Sequence, residues 1–458
     1  MTLIKSISGI RGTIGGSIGQ NLTPVDIVEF TSAYGVLIHR SKAPNKIILG
    51  RDGRITGQAV EQLVATTLIM MGIDVITLGL STTPTVEMAV VEHQAGGGII
   101  ITASHNPKEW NALKFLNHHG EFISHELGSE LLDIARNRTL QYASVDSMGQ
   151  LTSIDGTISA HINAILDLEL VRTRLIRNHK YHIVVDCINS TGAISIPPLL
   201  DALDCTYTLI NHEINGQFAH NPEPLADNLA DLIKSVVAEH ADLGIAVDPD
   251  VDRLAFVDEK GQYCGEEYTL VMIADWVLAN DPGPTVSNLS STYALREVTE
   301  KHGQEYYAAP VGEVNVVNKM KAQGAVIGGE GNGGVIFPKL HYGRDALAGI
   351  ALLLSALADK TITLSQYRSH FPTYFMIKDK INLSEDLDVD RLLSHVASAH
   401  SHLEVDTQDG VKIYFDSGWT HLRKSNTEPI IRLYAEAKSI GKAQGYVDSI
   451  KKTIKESI

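Results

Sequence analysis

Cysteine is scarce in this chain: Cys187, Cys205 and Cys264 are the full set, widely separated and odd in number. That excludes a disulfide framework, and no CxxC pair is present to hold a metal. Aromatic residues make up only 6%, which does not favour aromatic-rich binding surfaces. Positive charge is in deficit as well, with 38 Lys and Arg against 54 Asp and Glu and a formal net charge of −16. A general nucleic-acid surface or a polybasic membrane contact needs phosphate neutralisation, so neither is expected. A small anionic substrate in a locally basic cleft remains compatible with that balance. Long apolar runs are also missing: the longest, Ala346 to Ala358, lies between Asp345 and Asp359 and is too short to span a bilayer. The amino end, Met1-Thr-Leu-Ile-Lys-Ser-Ile-Ser, lacks a charged segment followed by an apolar stretch, so no signal peptide is read and a cytoplasmic protein is expected. With no Walker A sequence, HExxH or GxSxG, the P-loop, zincin and α/β-hydrolase readings lose their main support.

What is present is ordinary globular material, 44% hydrophobic and 20% charged over 458 residues, enough for about three domains. The chain carries a weak internal repeat of strand, turn, helix, strand and a closing strand. In the first unit Lys46-Ile-Ile-Leu-Gly-Arg-Asp reads as a buried strand, Gln58 to Met71 as a helix, Asp74 to Leu78 as the returning strand, and Gly98-Ile-Ile-Ile as the closing one. The second unit uses His182 to Asp186, Ala193 to Leu203, Thr206 to Ile210 and the closing Leu243-Gly-Ile-Ala-Val. The third uses Thr285 to Leu289, Ala294 to His302, Glu305 to Ala309 and the closing Ala325 to Glu330. Alternating apolar strands and helices imply parallel sheets, whose ligand sites lie beyond the carboxyl ends of strands. From Tyr374 onward the pattern changes to strands at Lys412 to Phe415 and Ile430 to Ala435 and an amphipathic helix Lys442 to Ile454, as in a small α+β domain.

Each closing strand runs into an unusual polar loop. Thr102-Ala-Ser-His-Asn-Pro puts the hydroxyl of Ser104 at a strand end, with His105, Lys114 and Arg11 available as base and cations for a nucleophile and the group it carries. Asp248-Pro-Asp-Val-Asp-Arg sets carboxylates at i, i+2 and i+4, and a hard divalent cation is the natural means of neutralising them. An EF-hand is excluded, because Arg253 stands where its loop requires glycine. Gly328-Gly-Glu-Gly-Asn-Gly-Gly matches GxGxxG formally, but Val335-Ile-Phe-Pro reads as a strand rather than the helix a dinucleotide site requires. Its flexible glycines suit close approach to a polyol, with Glu330 and Asn332 bonding sugar hydroxyls. A fourth loop, Arg423-Lys-Ser-Asn-Thr, offers the guanidinium of Arg423, the hydroxyls of Ser425 and Thr427, and the amide of Asn426, a donor set suited to a phosphate dianion.

Taken in order, Ser-Gly-Ile-Arg-Gly around Arg11, Thr-Ala-Ser-His-Asn-Pro, Asp-x-Asp-x-Asp-Arg, Gly-Gly-Glu and Arg-x-Ser-x-Thr-Glu-Pro resemble the loops of the α-D-phosphohexomutase family over nearly the whole chain. The resemblance implies an α/β fold of three related βαβ, mixed-sheet domains (1–150, 151–256, 257–370) plus a smaller C-terminal α+β domain (371–458) around a central cleft. It further implies a hexose phosphate substrate, a phosphoryl group on Ser104, Mg²⁺ held by Asp248, Asp250 and Asp252 with a phosphoserine oxygen, and a sugar 1,6-bisphosphate as intermediate and activator. Lys114 would be the general acid/base, its pKa lowered by desolvation and neighbouring cations, with His105 assisting. Arg11 and Arg253 would neutralise charge, Glu330 would bond the sugar, and Arg423, Ser425, Asn426 and Thr427 would grip the phosphate that is not reacting.

The sequence departs from the family at two positions: Asn332 stands where a serine is common and Gly334 where a histidine is common. Together with His341-Tyr-Gly-Arg-Asp, and with no tyrosine three residues before Arg11, this looks most like the phosphoglucosamine mutase branch. The alternatives are a phosphomannomutase/phosphoglucomutase of the same mechanism, a metal-dependent sugar phosphatase, or a non-catalytic sugar-phosphate sensor. Either a monomer or a homodimer fits the sequence.

Overall fold

The computed structural model describes residues 2–6, 9–382, 388–424 and 430–456. The chain divides into two compact bodies, Met1–Thr269 with Asn332–Arg368, and Leu270–Gly331 with Ser369–Ile458.

The first body holds two sheets. In the larger, strand Lys46–Arg51 lies between Asp74–Leu80 and Gly97–Ile101, all parallel, and Trp110–Leu116 adds antiparallel to the last. The second repeats this order: His182–Asp186 lies between Thr206–Ile210 and Leu243–Val247 in parallel, and Leu254–Asp258 returns antiparallel. The cause is legible in the residues. Ile47, Ile48 and Leu49 are 0% exposed, as are Ile183, Val184 and Val185, so these strands are buried on both faces and need helices over them. The apolar run Ala346 to Ala358 packs instead mainly against other helices, Thr157–Leu166 and Thr173–His179. It forms helix Ala346–Lys360, buried from Ala346 through Ala358 and capped by Asp345, whose carboxylate accepts from Leu347 N and Ala348 N.

In the second body, Thr285–Asn288 is flanked in parallel by Tyr306–Ala309 and Ile327–Glu330, the same arrangement a third time. The tail is a five-stranded antiparallel sheet in the order Phe375–Asn382, Ile430–Ala437, Gly418–Lys424, Val411–Phe415, Glu404–Asp406. Helices Val389–Ala399 and Ile440–Lys455 share one apolar cluster with it, through Leu392, Val396, Val447 and Ile450 against Ile413, Leu422 and Leu433. One expectation changes here. Arg423 and Lys424 are not in a turn but end strand Gly418–Lys424, whose first five residues are buried. Ser425, Asn426 and Thr427 lie outside the described residues. Among the described residues no helix is long and apolar enough to cross a membrane.

Candidate active site

The two polar loops of the first body occupy equivalent places, each between a parallel strand and its antiparallel return strand. They meet. The Ser104 hydroxyl donates to Asp248 Oδ2 at 2.6 Å, and Asp248, Asp250 and Asp252 are all 0% exposed, with ligand oxygens within 4.8 Å of one another. Each loop turns through an unusual backbone conformation. Ser104 has φ +50° and Val251 φ +60°, a left-handed geometry that is especially costly for a β-branched residue. Such geometry persists only where surrounding bonds enforce it. At Ser104 these are the Thr102 hydroxyl, which accepts from its N–H, and the Arg54 guanidinium, which donates to its carbonyl at 2.6 Å. At Val251 the N–H donates to Asp248 O and the carbonyl accepts from Ala346 N.

The aspartates differ in environment. Asp250 Oδ2 accepts from Lys114 Nζ at 2.9 Å and from the Thr83 hydroxyl at 2.6 Å. Asp252 Oδ2 accepts from Arg344 Nη2 at 2.5 Å, and Lys114 Nζ lies 3.8 Å from it. Asp248 Oδ1 accepts from the N–H groups of Asp252 and Arg253. Burial and the neighbouring Asp252 and Asp250 push Asp248 well above the usual carboxylate range, whereas Lys114 and Thr83 overcome the same burial to pull Asp250 below it. Asp250 Oδ1 and Asp252 Oδ1 are buried and accept no hydrogen bond. Bare, buried carboxylate oxygens are costly without a charge partner, so a hard divalent cation such as Mg²⁺ fits this donor set.

Two cations stand over the serine loop. Burial and mutual repulsion with Arg253 lower the pKa of Arg11, and Arg253 Nη1 donates to Glu223 Oε1 at 2.9 Å while its Nε sits 4.0 Å from Asp248. Two neighbouring guanidiniums, Arg253 buried and Arg11 half-buried, are a natural seat for an anion. His105 is pushed well below the usual imidazole range by burial and by Arg253 and Arg11, which keeps it neutral. Lys114 departs from expectation. Burial alone would lower its pKa, but Asp250 and Asp252 outweigh burial and raise it, so this lysine keeps its proton and its charge.

Sequence reasoning missed the residues that hold these groups. Arg54, 2% exposed, donates to the carbonyls of Ser104, Asn106, Pro107 and Trp110 and pairs with Asp52 at 3.1 Å. Asp52 also accepts the Thr102 hydroxyl. Their signal was the Arg-Asp-Gly-Arg that leaves strand Lys46–Arg51, polar residues at the carboxyl end of an apolar strand. Arg344 carried only the hint of a second polar run before the apolar helix.

In the second body Glu330 ends strand Ile327–Glu330, 6% exposed, where its Oε1 accepts from Asn288 Nδ2 at 2.9 Å and Gly312 N at 3.2 Å. Asn332, in the first body, accepts from Gly334 N with its own side chain.

Models of the phosphoglucomutase/phosphomannomutase family match the chain in order: alpha/beta/alpha domain I over residues 3–141, domain II over 159–261, domain III over 265–374 and the C-terminal domain over 380–453. A phosphoglucomutase/phosphomannomutase of Thermococcus kodakarensis is 33% identical over 457 residues, covering 98% of each chain. A probable phosphoglucosamine mutase of Methanopyrus kandleri is 32% identical with the same coverage. A phosphoglucosamine/phosphogalactosamine mutase of Sulfurisphaera tokodaii is 31% identical, covering 97% of this chain and 98% of its own. The crystal structure of a phosphoglucomutase/phosphomannomutase family protein from Burkholderia thailandensis superposes with a TM-score of 0.86 at 25% identity, covering 99% of this chain and 98% of that one. Fold and relatives define the class as phosphohexomutases, isomerases that act by phosphotransfer. The chain belongs to the phosphoglucomutase/phosphomannomutase family of that class.

Proposed function

We propose that the enzyme interconverts glucosamine 6-phosphate and glucosamine 1-phosphate by way of a phosphorylated Ser104 and a sugar 1,6-bisphosphate. The observation that carries this reading is the Ser104 hydroxyl held at 2.6 Å from a fully buried aspartate triad. In the first half-reaction the bond from Ser104 Oγ to phosphorus breaks as a free sugar hydroxyl bonds the phosphorus. The hydroxyl proton leaves to a base, and Ser104 Oγ regains one. The resulting bisphosphate reorients and returns its other phosphate to Ser104.

In-line phosphoryl transfer is chiefly positioning and charge neutralisation. Arg11 and Arg253 suit the transferring group, neutral His105 can take a proton, and cationic Lys114 can give one. Asp248, Asp250 and Asp252 would hold Mg²⁺, which when bound neutralises charge on the phosphoryl oxygens. Glu330 and Asn332 are assigned to sugar hydroxyls, and Arg423, Ser425, Asn426 and Thr427 to the phosphate that is not reacting. The reading keeps the four-domain division at 1–150, 151–256, 257–370 and 371–458, and a cytoplasmic setting.

Glucosamine is preferred because Asn332 and Gly334 depart from the commoner loop and because similar relatives bear phosphoglucosamine mutase names. A second reading, glucose or mannose phosphate, is favoured by the 33% identical relative named phosphoglucomutase/phosphomannomutase. Ser104→Ala should abolish isomerisation while the protein stays folded, and intact-mass measurement of the wild type should find a phosphoryl group that this variant lacks. Substantial retained turnover would remove Ser104 from its role. A side-by-side assay on the 1- and 6-phosphates of glucosamine, glucose and mannose decides the sugar: unless kcat/KM is highest for glucosamine phosphate, the second reading replaces the first.

A further inference from the structure

We propose that Arg344 is a positioning residue for the metal-ligand loop: it clamps Asp252 by one carboxylate oxygen so that the other is presented, bare, to the cation. This rests on the metal reading above and goes beyond it: His341-Tyr-Gly-Arg-Asp served the resemblance only as the mark of a branch and gave Arg344 no role.

The argument begins with the two oxygens of each aspartate. At Asp252, Oδ2 accepts from Arg344 Nη2 at 2.5 Å, while Oδ1 is buried and accepts nothing. Asp250 shows the same division, with Oδ2 taken by Lys114 and Thr83 and Oδ1 bare. A group competing with a cation for the loop would occupy the oxygens the cation needs. Here the charged donors engage one oxygen of each pair and leave its twin buried without a hydrogen-bond partner. That is how partners behind a metal ligand act: they fix its rotamer and orientation without filling the coordination position.

Arginine suits the task. Its planar guanidinium is charged at every working pH and tolerates burial beside a carboxylate better than an ammonium. The residue is 7% exposed, so little water screens the pair.

The backbone carries Arg344 to this place. Arg344 bridges Ile336, Asp345 N donates to Val335 O, and Ala346 N donates to Val251 O in the metal loop itself. The segment 344–346 is therefore joined to the aspartate loop by main chain as well as by side chain.

Space for the stem comes from Gly334. A Cβ at that position would lie 2.2 Å from Arg344 Cδ and 3.0 Å from Cγ, too close to coexist with the guanidinium in its observed position. The glycine that departs from the commoner histidine is thus the residue that makes room for Arg344.

The test is a Mn²⁺ titration of chelator-treated full-length protein, with free Mn²⁺ read by electron paramagnetic resonance. Arg344→Gln should weaken Mn²⁺ binding by about 10- to 100-fold, the range for losing a partner behind a metal ligand. Gly334→Ala, which keeps every charge but displaces the stem, should weaken it in the same direction. Arg344→Lys should recover part of the loss, and added Mn²⁺ should restore turnover of Arg344→Gln, which a general folding defect would not allow. Unchanged or tighter Mn²⁺ binding in Arg344→Gln overturns the proposal, the latter by making Arg344 a competitor. If Arg344→Gln fails to fold, Gly334→Ala and Arg344→Lys decide alone, and wild-type affinity in both overturns it. If the wild type itself does not bind Mn²⁺, the metal reading has failed, which is a distinct outcome from a variant that binds as the wild type does.

Discussion

Arg54 offers the sharpest test of how the serine loop is held. It reaches five acceptors: carbonyls of Ser104 at 2.6 Å, Asn106 at 2.7 Å, Pro107 at 2.8 Å and Trp110 at 2.9 Å, and Asp52 Oδ2 at 3.1 Å. Arg54→Met keeps most of the volume and removes every donor. Removing one partner of a buried ion pair alone costs about 3–5 kcal/mol. Each stranded carbonyl adds up to about 1–3 kcal/mol, which water entering the gap would partly offset. A local destabilisation of about 4 kcal/mol is therefore the conservative expectation. Two-state unfolding is a poor readout for a chain of several domains, whereas native-state hydrogen exchange reports the segment itself. With each ~1.4 kcal/mol worth tenfold, amides in 102–112 should exchange about 10³-fold faster in Arg54→Met, and turnover should fall as Ser104 loses its orientation. Arg54→Lys should behave almost as badly, because one ammonium cannot reproduce a five-donor fork. Exchange in this segment within about tenfold of wild type would refute the claim that Arg54 holds the loop.

Two further outcomes follow from buried titratable groups. Cys187, Cys205 and Cys264 are all buried, and burial pushes the thiols up, to about 12 for Cys205 and Cys264. Native protein should therefore resist a thiol reagent at pH 8 and react at all three positions once denatured; rapid labelling of the folded protein would contradict this. His341 packs against Glu87 and Asp345, with the His161 ring centroid 6.2 Å away. Burial alone would lower its pKa, but the two carboxylates outweigh it and raise it from 6.5 to about 10. The stabilisation is complete below the unfolded value and is lost as pH rises through the folded one. The excess melting temperature of wild type over His341→Gln should be largest near pH 6 and should shrink toward pH 10. A pH-independent difference would show that His341 acts by packing alone.

Much of this was legible because the repeat is written in apolar strands that end abruptly in polar loops. Ile245-Ala-Val running into Asp248-Pro-Asp-Val-Asp shows a buried strand and its loop in the sequence alone. What was not legible is tertiary. The sign of the Lys114 shift depends on Asp250 and Asp252, more than 130 residues away along the chain, as the 2.9 Å contact records. Arg54 and Arg344 act on loops they do not belong to, so the polar runs that carry them do not show what they hold. In the tail, Phe375–Asn382 lies at one end of its sheet with no residue fully buried, and its weak alternation hid it. Gly418–Lys424 was obscured by polar Thr420 and His421, which are nonetheless buried.

The matching strand order of the first two sheets has a practical corollary. The serine loop departs after Ile101 and lands at Trp110, and the aspartate loop departs after Val247 and lands at Leu254, in both cases from a parallel strand to its antiparallel neighbour. Departure and landing are dictated by largely apolar ladders, in which Lys114 is the residue that also reaches the site. Each loop is in effect a cartridge in a standard socket. Its reactive groups can be exchanged, lengthened or retuned while the socket keeps its shape, provided that external clamps such as Arg54 and Arg344 are carried along with it.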